Sequence, residues 1–166
     1  MGVRITRVLT IQERHDMNDA AVAVGMYRDD RRVFLPGMAW YQHFYFDPTG
    51  EWEAWRAAQP DPEKYCRQPM IKRPANPGDR ASFLSPHYWR DWADKRPPIC
   101  VVCPNGEQWE IDRWSSNGTG WTVTGALPNI TCTPSIVVTG YHGWLKGGEF
   151  SADLDGRGPV GIVKTT

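Results

Sequence analysis

The chain lacks the features that would place it in a membrane or mark it for export. No run approaches the roughly 18 consecutive apolar residues that a bilayer span requires. Met1 to Leu9 alternates arginine with aliphatic residues, without a continuous apolar core or a small-residue cleavage site, so export is not expected. Net charge is also missing. Nineteen basic and nineteen acidic residues cancel, which leaves no overall field to draw the protein to nucleic acid or to an anionic membrane. There is no internal repeat, no heptad run and no G-x-S-x-G nucleophile elbow. Cysteine is scarce: Cys66, Cys100, Cys103 and Cys132 are the four. In a chain that is not exported these are expected as thiols or metal ligands rather than disulfides. The sequons at Asn117 and Asn129 then carry no glycan.

What is present describes a globular protein. With 166 residues, 40% apolar and 23% charged, the chain is long enough for one core and short for two. Nine tryptophans stand out. Each brings a large apolar surface and an N–H that needs an acceptor, so they are expected mainly as core anchors rather than as an exposed stacking platform.

Residues 3–9 alternate as a short opening strand. Thr10 and Glu13 fit a capping box before a helix that carries Met17, Ala20, Ala21 and Val24 on one face and ends near Gly25. Ala39 to Phe46 is an aromatic strand stopped by Asp47-Pro48 and Gly50, and Trp52 to about Ala58 is a short helix. Prolines make 60–79 a loop. Ser85-Pro86 opens a further helix that carries Trp89 and Trp92. From Ile99 the pattern becomes short strands and tight turns. Asn105-Gly106 joins Ile99–Cys103 to Gln108–Asp112 as a hairpin, because that dipeptide supplies the positive φ such turns use. Asn117-Gly118 marks another turn. Trp121–Thr124, Asn129–Val138, and the pair Tyr141–Lys146 and Glu149–Ser151 across Gly147-Gly148 complete the set. The expected class is α+β: N-terminal strand and helix, aromatic strand, short helix, then a β-rich C-terminal half of antiparallel hairpins. It reads as one domain over 1–166, with an α+β part (1–98), an antiparallel part (99–153) and an irregular tail (154–166).

Several motifs carry a resemblance. They are Pro97-Pro98-Ile99-Cys100-Val101-Val102-Cys103-Pro104-Asn105-Gly106-Glu107-Gln108-Trp109, the turn Ser115-Ser116-Asn117-Gly118, Ile130-Thr131-Cys132-Thr133-Pro134-Ser135-Ile136 and Gly140-Tyr141-His142-Gly143-Trp144-Leu145. Together they resemble a family of small proteins of unknown function from tailed phages and prophages, often labelled "ammonia monooxygenase". More distantly, Pro-Ser-Ile followed by His-Gly-Trp-Leu and Gly-Gly-Glu-Phe is similar to a bacterial domain of unknown function, some copies of which lie beside ubiquitin-like conjugation genes. The resemblance implies a phage or prophage setting and no defined reaction. The chain has no transmembrane helix of the kind a membrane copper monooxygenase contains.

Three groups of residues could carry chemistry. Cys100, Cys103, Cys132 and His142 are of the types that bind zinc tetrahedrally. The distant relatives' Cys-Gly-rich cluster at Cys100–Cys103 implies zinc there. Here, however, Val101 and Val102 make the segment a strand, which turns residues three apart to opposite faces. Buried structural thiols are the plainer reading. Ser135, His142 and Asp112 are nucleophile, base and orienter by type, although a serine after proline commonly bonds to nearby backbone. His142 lies between Tyr141 and Gly143 and can serve as base, ligand or hydrogen-bonded structural residue. His43 is expected as a satisfied core histidine, and His15 and His87 as solvated. Asp16, Asn18 and Asp19 suit an early helix turn better than a metal loop. Lys64, Arg67, Lys72, Arg73 and Arg80 read as a solvated loop rather than a phosphate contact.

The functional expectation is therefore an accessory protein that binds a host or phage protein inside the host cytoplasm. Asp112, Ser116, Asn117, Tyr141 and His142 would lie near one another, with Trp109 as a further binding residue. One alternative is a small hydrolase or metal-dependent enzyme that uses His142 with Asp112, Ser135 or Cys103. Another is a virion structural or decoration protein. No membrane or nucleic-acid partner is expected, oligomerisation is left open, and zinc is the one cofactor candidate.

Overall fold

The computed structural model describes residues 2–44, 47–65, 96–112 and 121–156. The expected helix after Ser85, the Asn117-Gly118 turn and Cys66 lie outside them. The fold is α+β, with two α-helices and two sheets among the described residues, and the C-terminal half is rich in strands. Contacts group the chain into two compact units. One comprises Met1–Trp40, Cys100–Ile111 and Thr122–Thr166; the other comprises Tyr41–Ile99 and Asp112–Trp121.

In the first unit the opening segment divides into two strands. β1 (Val3–Arg4) and β2 (Arg7–Leu9) join different sheets. Between them the Ile5 N–H donates to the Gly148 carbonyl, and the Thr6 and Arg7 N–H groups both donate to that of Gly37. A continuous strand was expected over 3–9; these non-local acceptors explain the break.

Helix α1 (Ile11–Ala23) starts at the expected capping box, in which Thr10 Oγ1 accepts from Glu13 N–H and the Glu13 carboxylate accepts from Thr10 N–H. Such a cap contributes about 1 kcal/mol. The face it buries differs from the expected one. Asn18 and Ala21 are buried and Met17 packs on the core, while Ala20 and Val24 are exposed. Asn18 is drawn inward because its side chain bonds both the backbone N–H and the carboxylate of Asp29.

α1 connects β2 to β3 (Met38–Tyr41), and the two strands run parallel with Val8 opposite Ala39. β4 (Ile99–Val102) and β5 (Gln108–Glu110) form the expected hairpin with Val101 opposite Trp109, and Gly106 at φ +89° closes its turn. The sheet order is β2-β3-β4-β5. Leu9, Phe34, Trp40, Cys100 and Val102 form one core cluster, in which Phe34 and Trp40 meet edge to face at 5.3 Å.

The second sheet contains β6 (Thr122–Thr124), β7 (Thr131–Val138), β8 (Tyr141–Lys146) and β9 (Glu149–Phe150), in the order β1-β9-β8-β7-β6 with antiparallel neighbours. Asn105 ties the two hairpin ends of this unit together, because its Nδ2 donates to the Thr139 carbonyl at 2.6 Å.

In the second unit, α2 (Glu51–Ala57) follows Asp47, whose carboxylate accepts from the N–H groups of Thr49 and Trp52 and from the Thr49 hydroxyl. His43 is buried, as expected. Its Nδ1 contacts the Tyr41 carbonyl at 3.1 Å and its Nε2 the Glu51 carboxylate at 2.9 Å. Trp52, Trp55 and Tyr65 form an aromatic chain with ring centroids 6.2 and 4.8 Å apart. Among the described residues, no helix is long and apolar enough to cross a membrane.

Candidate functional site

β7 and β8 form the scaffold on which a polar cluster sits. Their register is regular from Ile136 opposite Gly143 through Val137 opposite His142 to Val138 opposite Tyr141, but it shifts between Cys132 and Ile136. Four residue steps on β7 there face two on β8, so the strand bulges at Thr133-Pro134-Ser135. Alternation then sets the faces. Cys132, Ile136, Tyr141, Gly143 and Leu145 are buried, whereas Ser135, Val137, His142 and Trp144 lie on the outer face. Ser135 sits two residues before Val137, which makes it the diagonal neighbour of His142, within reach of a long side chain.

The contact is made: Ser135 Oγ and His142 Nε2 are 3.1 Å apart. On the other side of the ring, His142 Nδ1 lies 3.3 Å from the Asp155 carboxylate. The tautomer with its proton on Nδ1 satisfies both contacts, since that nitrogen then donates to a carboxylate oxygen and Nε2 accepts from the serine hydroxyl.

Asp155 reaches the ring because the segment after β9 stays attached to β8. Ser151 N–H donates to the Trp144 carbonyl, and Ser151 Oγ accepts from Trp144 N–H at 2.9 Å. Further along, the Asp153 carboxylate accepts from His142 N–H at 2.8 Å and Leu154 N–H donates to the His142 carbonyl at 2.7 Å. Both backbone groups of His142 are therefore held by the segment that delivers Asp155. Serine and aspartate side chains replace backbone carbonyls in this ladder, and the chain can leave the sheet plane and turn over the ring.

The site is open. The His142 side chain is 28% exposed and that of Asp155 56%. Lys146 lies over the Trp144 ring, its Nζ 5.0 Å from the centroid.

Of the residues singled out from sequence, Ser135 and His142 are brought together. The carboxylate that joins them is Asp155, where Asp112 was expected. Asp112 belongs to the second unit and is spoken for there: it accepts from both terminal nitrogens of Arg96 at 2.8 and 2.9 Å and from Ile99 N–H at 2.9 Å. Tyr141 points inward and is 2% exposed, and its hydroxyl donates to the Ser151 carbonyl at 2.8 Å. Burial pushes the Tyr141 hydroxyl above its ordinary pKa and keeps it a donor. Trp109 is also buried, in the middle of β5. Neither is on the outer face, because the strand period turns them to the core. Ser116 and Asn117 lie outside the described residues.

The thiols Cys100, Cys103 and Cys132 are buried and in no disulfide. All four residues of β4 are buried, so both of its faces are covered and the alternation that separates Cys100 from Cys103 exposes neither. Burial raises the thiol pKa of Cys100 and Cys103 well above its usual value. A zinc site made from these thiols and His142 is not assembled: among the described residues no three His, Cys, Asp or Glu side chains are grouped to hold a metal ion.

Asp155 carries no sequence signal of its own, because it lies in a glycine-rich tail without periodicity. The available signal was Asp153-Leu154-Asp155-Gly156, two carboxylates and a turn residue directly after a strand. No family model, curated protein or solved structure matches the chain.

Proposed function

We propose that the outer face of the β7–β8 hairpin is the active site of a small serine-dependent acyl hydrolase. The observation behind this reading is the relay Ser135 Oγ–His142 Nε2 with Asp155 at Nδ1. The geometry falls in the range for a nucleophile and its base before substrate arrives, when such contacts are often loose. In the reaction, Ser135 Oγ bonds to the substrate carbonyl carbon as its proton passes to His142 Nε2. Asp155 stabilises the imidazolium. The carbonyl-to-oxygen bond of the ester then breaks and the leaving alcohol takes that proton from His142. Water, deprotonated by the same nitrogen, releases the acid and returns Ser135 to its free form. A phage or prophage protein with this activity would act inside the host cell, in keeping with the sequence resemblance.

The test is labelling by a fluorophosphonate, followed by peptide mapping. The label is expected on Ser135, absent in Ser135→Ala, and slowed by a factor on the order of 10³ or more in His142→Ala. Asp155→Asn should slow it less than His142→Ala. Failure of the folded wild type to label overturns the reading. Binding without chemistry, favoured by the exposure of Val137 directly beside His142, is then the account that stands, for an accessory protein or for a virion component.

A further inference from the structure

Two exposed apolar residues lie on the chain segments that flank His142. Val137 is directly opposite His142 on β7 and is 64% exposed. Leu154, whose N–H pairs with the His142 carbonyl on the other side, is 51% exposed. Single exposed aliphatic residues are common on protein surfaces and call for no explanation. Here two of them flank one histidine, on the two chain segments that hold it. Val137 is also in a strand where the inward positions Cys132 and Ile136 are fully buried, so its exposure follows from the alternation and not from poor packing. A polar residue would satisfy an outer sheet face more easily at Val137, and a polar residue would suit the turn at Leu154 as well.

We propose that the ester cleaved at Ser135 carries an aliphatic acyl group, which lies against Val137 and Leu154 when its carbonyl carbon meets Ser135 Oγ. The inference rests on the reading of Ser135 as a nucleophile. Covering these side chains with a hydrocarbon chain removes apolar surface of enzyme and substrate from water together, which the small polar head of an acetyl ester cannot do. The chain should be short to medium in length. The site is an open face, so contact is limited to the neighbourhood of the two residues. An acyl chain that outgrows them gains nothing further.

The test uses the full chain and p-nitrophenyl acetate, butyrate, hexanoate and octanoate, each below its micelle-forming concentration. The readout is kcat/KM relative to acetate, with the Ser135→Ala rate subtracted. The expected result is a rise from acetate to hexanoate of up to about four-fold per added methylene, levelling off towards octanoate. Val137→Ser with Leu154→Ser should flatten that series, and Val137→Leu should steepen it. The wild-type series alone decides the matter even if a variant folds poorly. Ser135-dependent hydrolysis with no preference for longer chains overturns this inference and leaves the hydrolase reading intact. A wild type whose rate equals that of Ser135→Ala on every ester overturns the hydrolase reading itself.

Discussion

Alanine at Gly143 is the sharpest perturbation of the scaffold beneath the site. Gly143 is buried on the inner face of β8, between His142 and Trp144, and its φ is not in the left-handed region, so conformational freedom is not what glycine supplies. It supplies room. A Cβ built there would overlap Tyr141 Oη and Cζ and come within 2.7 Å of Ser151 Oγ. The Tyr141 ring cannot simply swing aside, because it is 2% exposed, meets Phe150 edge to face at 6.0 Å and donates to the Ser151 carbonyl. Overpacking of this kind costs about 1–3 kcal/mol, and loss of the hydroxyl–carbonyl bond adds about 1 kcal/mol. Gly143→Ala should therefore lose about 2–4 kcal/mol, a large part of the roughly 5–15 kcal/mol that stabilises a domain. Equilibrium unfolding in urea, followed by tryptophan fluorescence, measures it. Tyr141→Leu shortens the obstructing side chain, so in that background the cost of alanine should fall by about 2 kcal/mol, which a double-mutant cycle reads as coupling. The reasoning fails if Gly143→Ala stays within about 0.5 kcal/mol of wild type, or if the two substitutions are additive within about 0.5 kcal/mol.

Two further outcomes follow from burial and charge. Cys100, Cys103 and Cys132 are enclosed and in no disulfide, so the native protein titrated with a thiol reagent at mildly alkaline pH should release colour from Cys66 at most, with the other three reacting only in denaturant. Rapid reaction of three or four thiols would refute that. Asp30 is hydrogen-bonded by the Arg32 side chain and backbone and by Tyr27 N–H, and the Arg32 guanidinium first among these holds its carboxyl well below the usual range. A carboxyl lowered by folding stabilises the protein above its unfolded pKa, near 4, and loses that contribution as the pH falls towards its folded value. Asp30→Asn should therefore be less stable than wild type at neutral pH, and the gap between their urea midpoints should narrow as the pH is lowered through roughly 4 to 2. A gap independent of pH would refute the assignment.

The local rules written into the chain carried a good part of the architecture. The Thr10–Glu13 capping box, the Asn105-Gly106 hairpin and the Tyr141–Lys146 pairing with β9 each depend on a few neighbouring residues, and each appears where the residues place it. The split of 3–9 between two sheets was not legible, because what divides it is a pair of carbonyls from Gly37 and Gly148. The buried face of α1 was not legible for the same reason: Asn18 faces inward to meet Asp29, a partner eleven residues away on a loop.

The candidate site divides in the same manner. The amino-acid sequence by itself placed a serine and a histidine of the right chemical types on two successive strands, Asn129–Val138 and Tyr141–Lys146, without pairing those strands with each other. Only the tertiary structure decided that the two side chains meet and which carboxylate completes the relay. The register shift of β7 between Cys132 and Ile136 sets where Ser135 falls along β8, and so that it lies diagonal to His142. The Ser151 and Asp153 side chains, standing in for backbone carbonyls beside β8, bring Asp155 rather than Asp112 to the ring. Register and side-chain substitution in a ladder are agreements between distant segments, and no local pattern of residues encodes an agreement with a partner not yet in place.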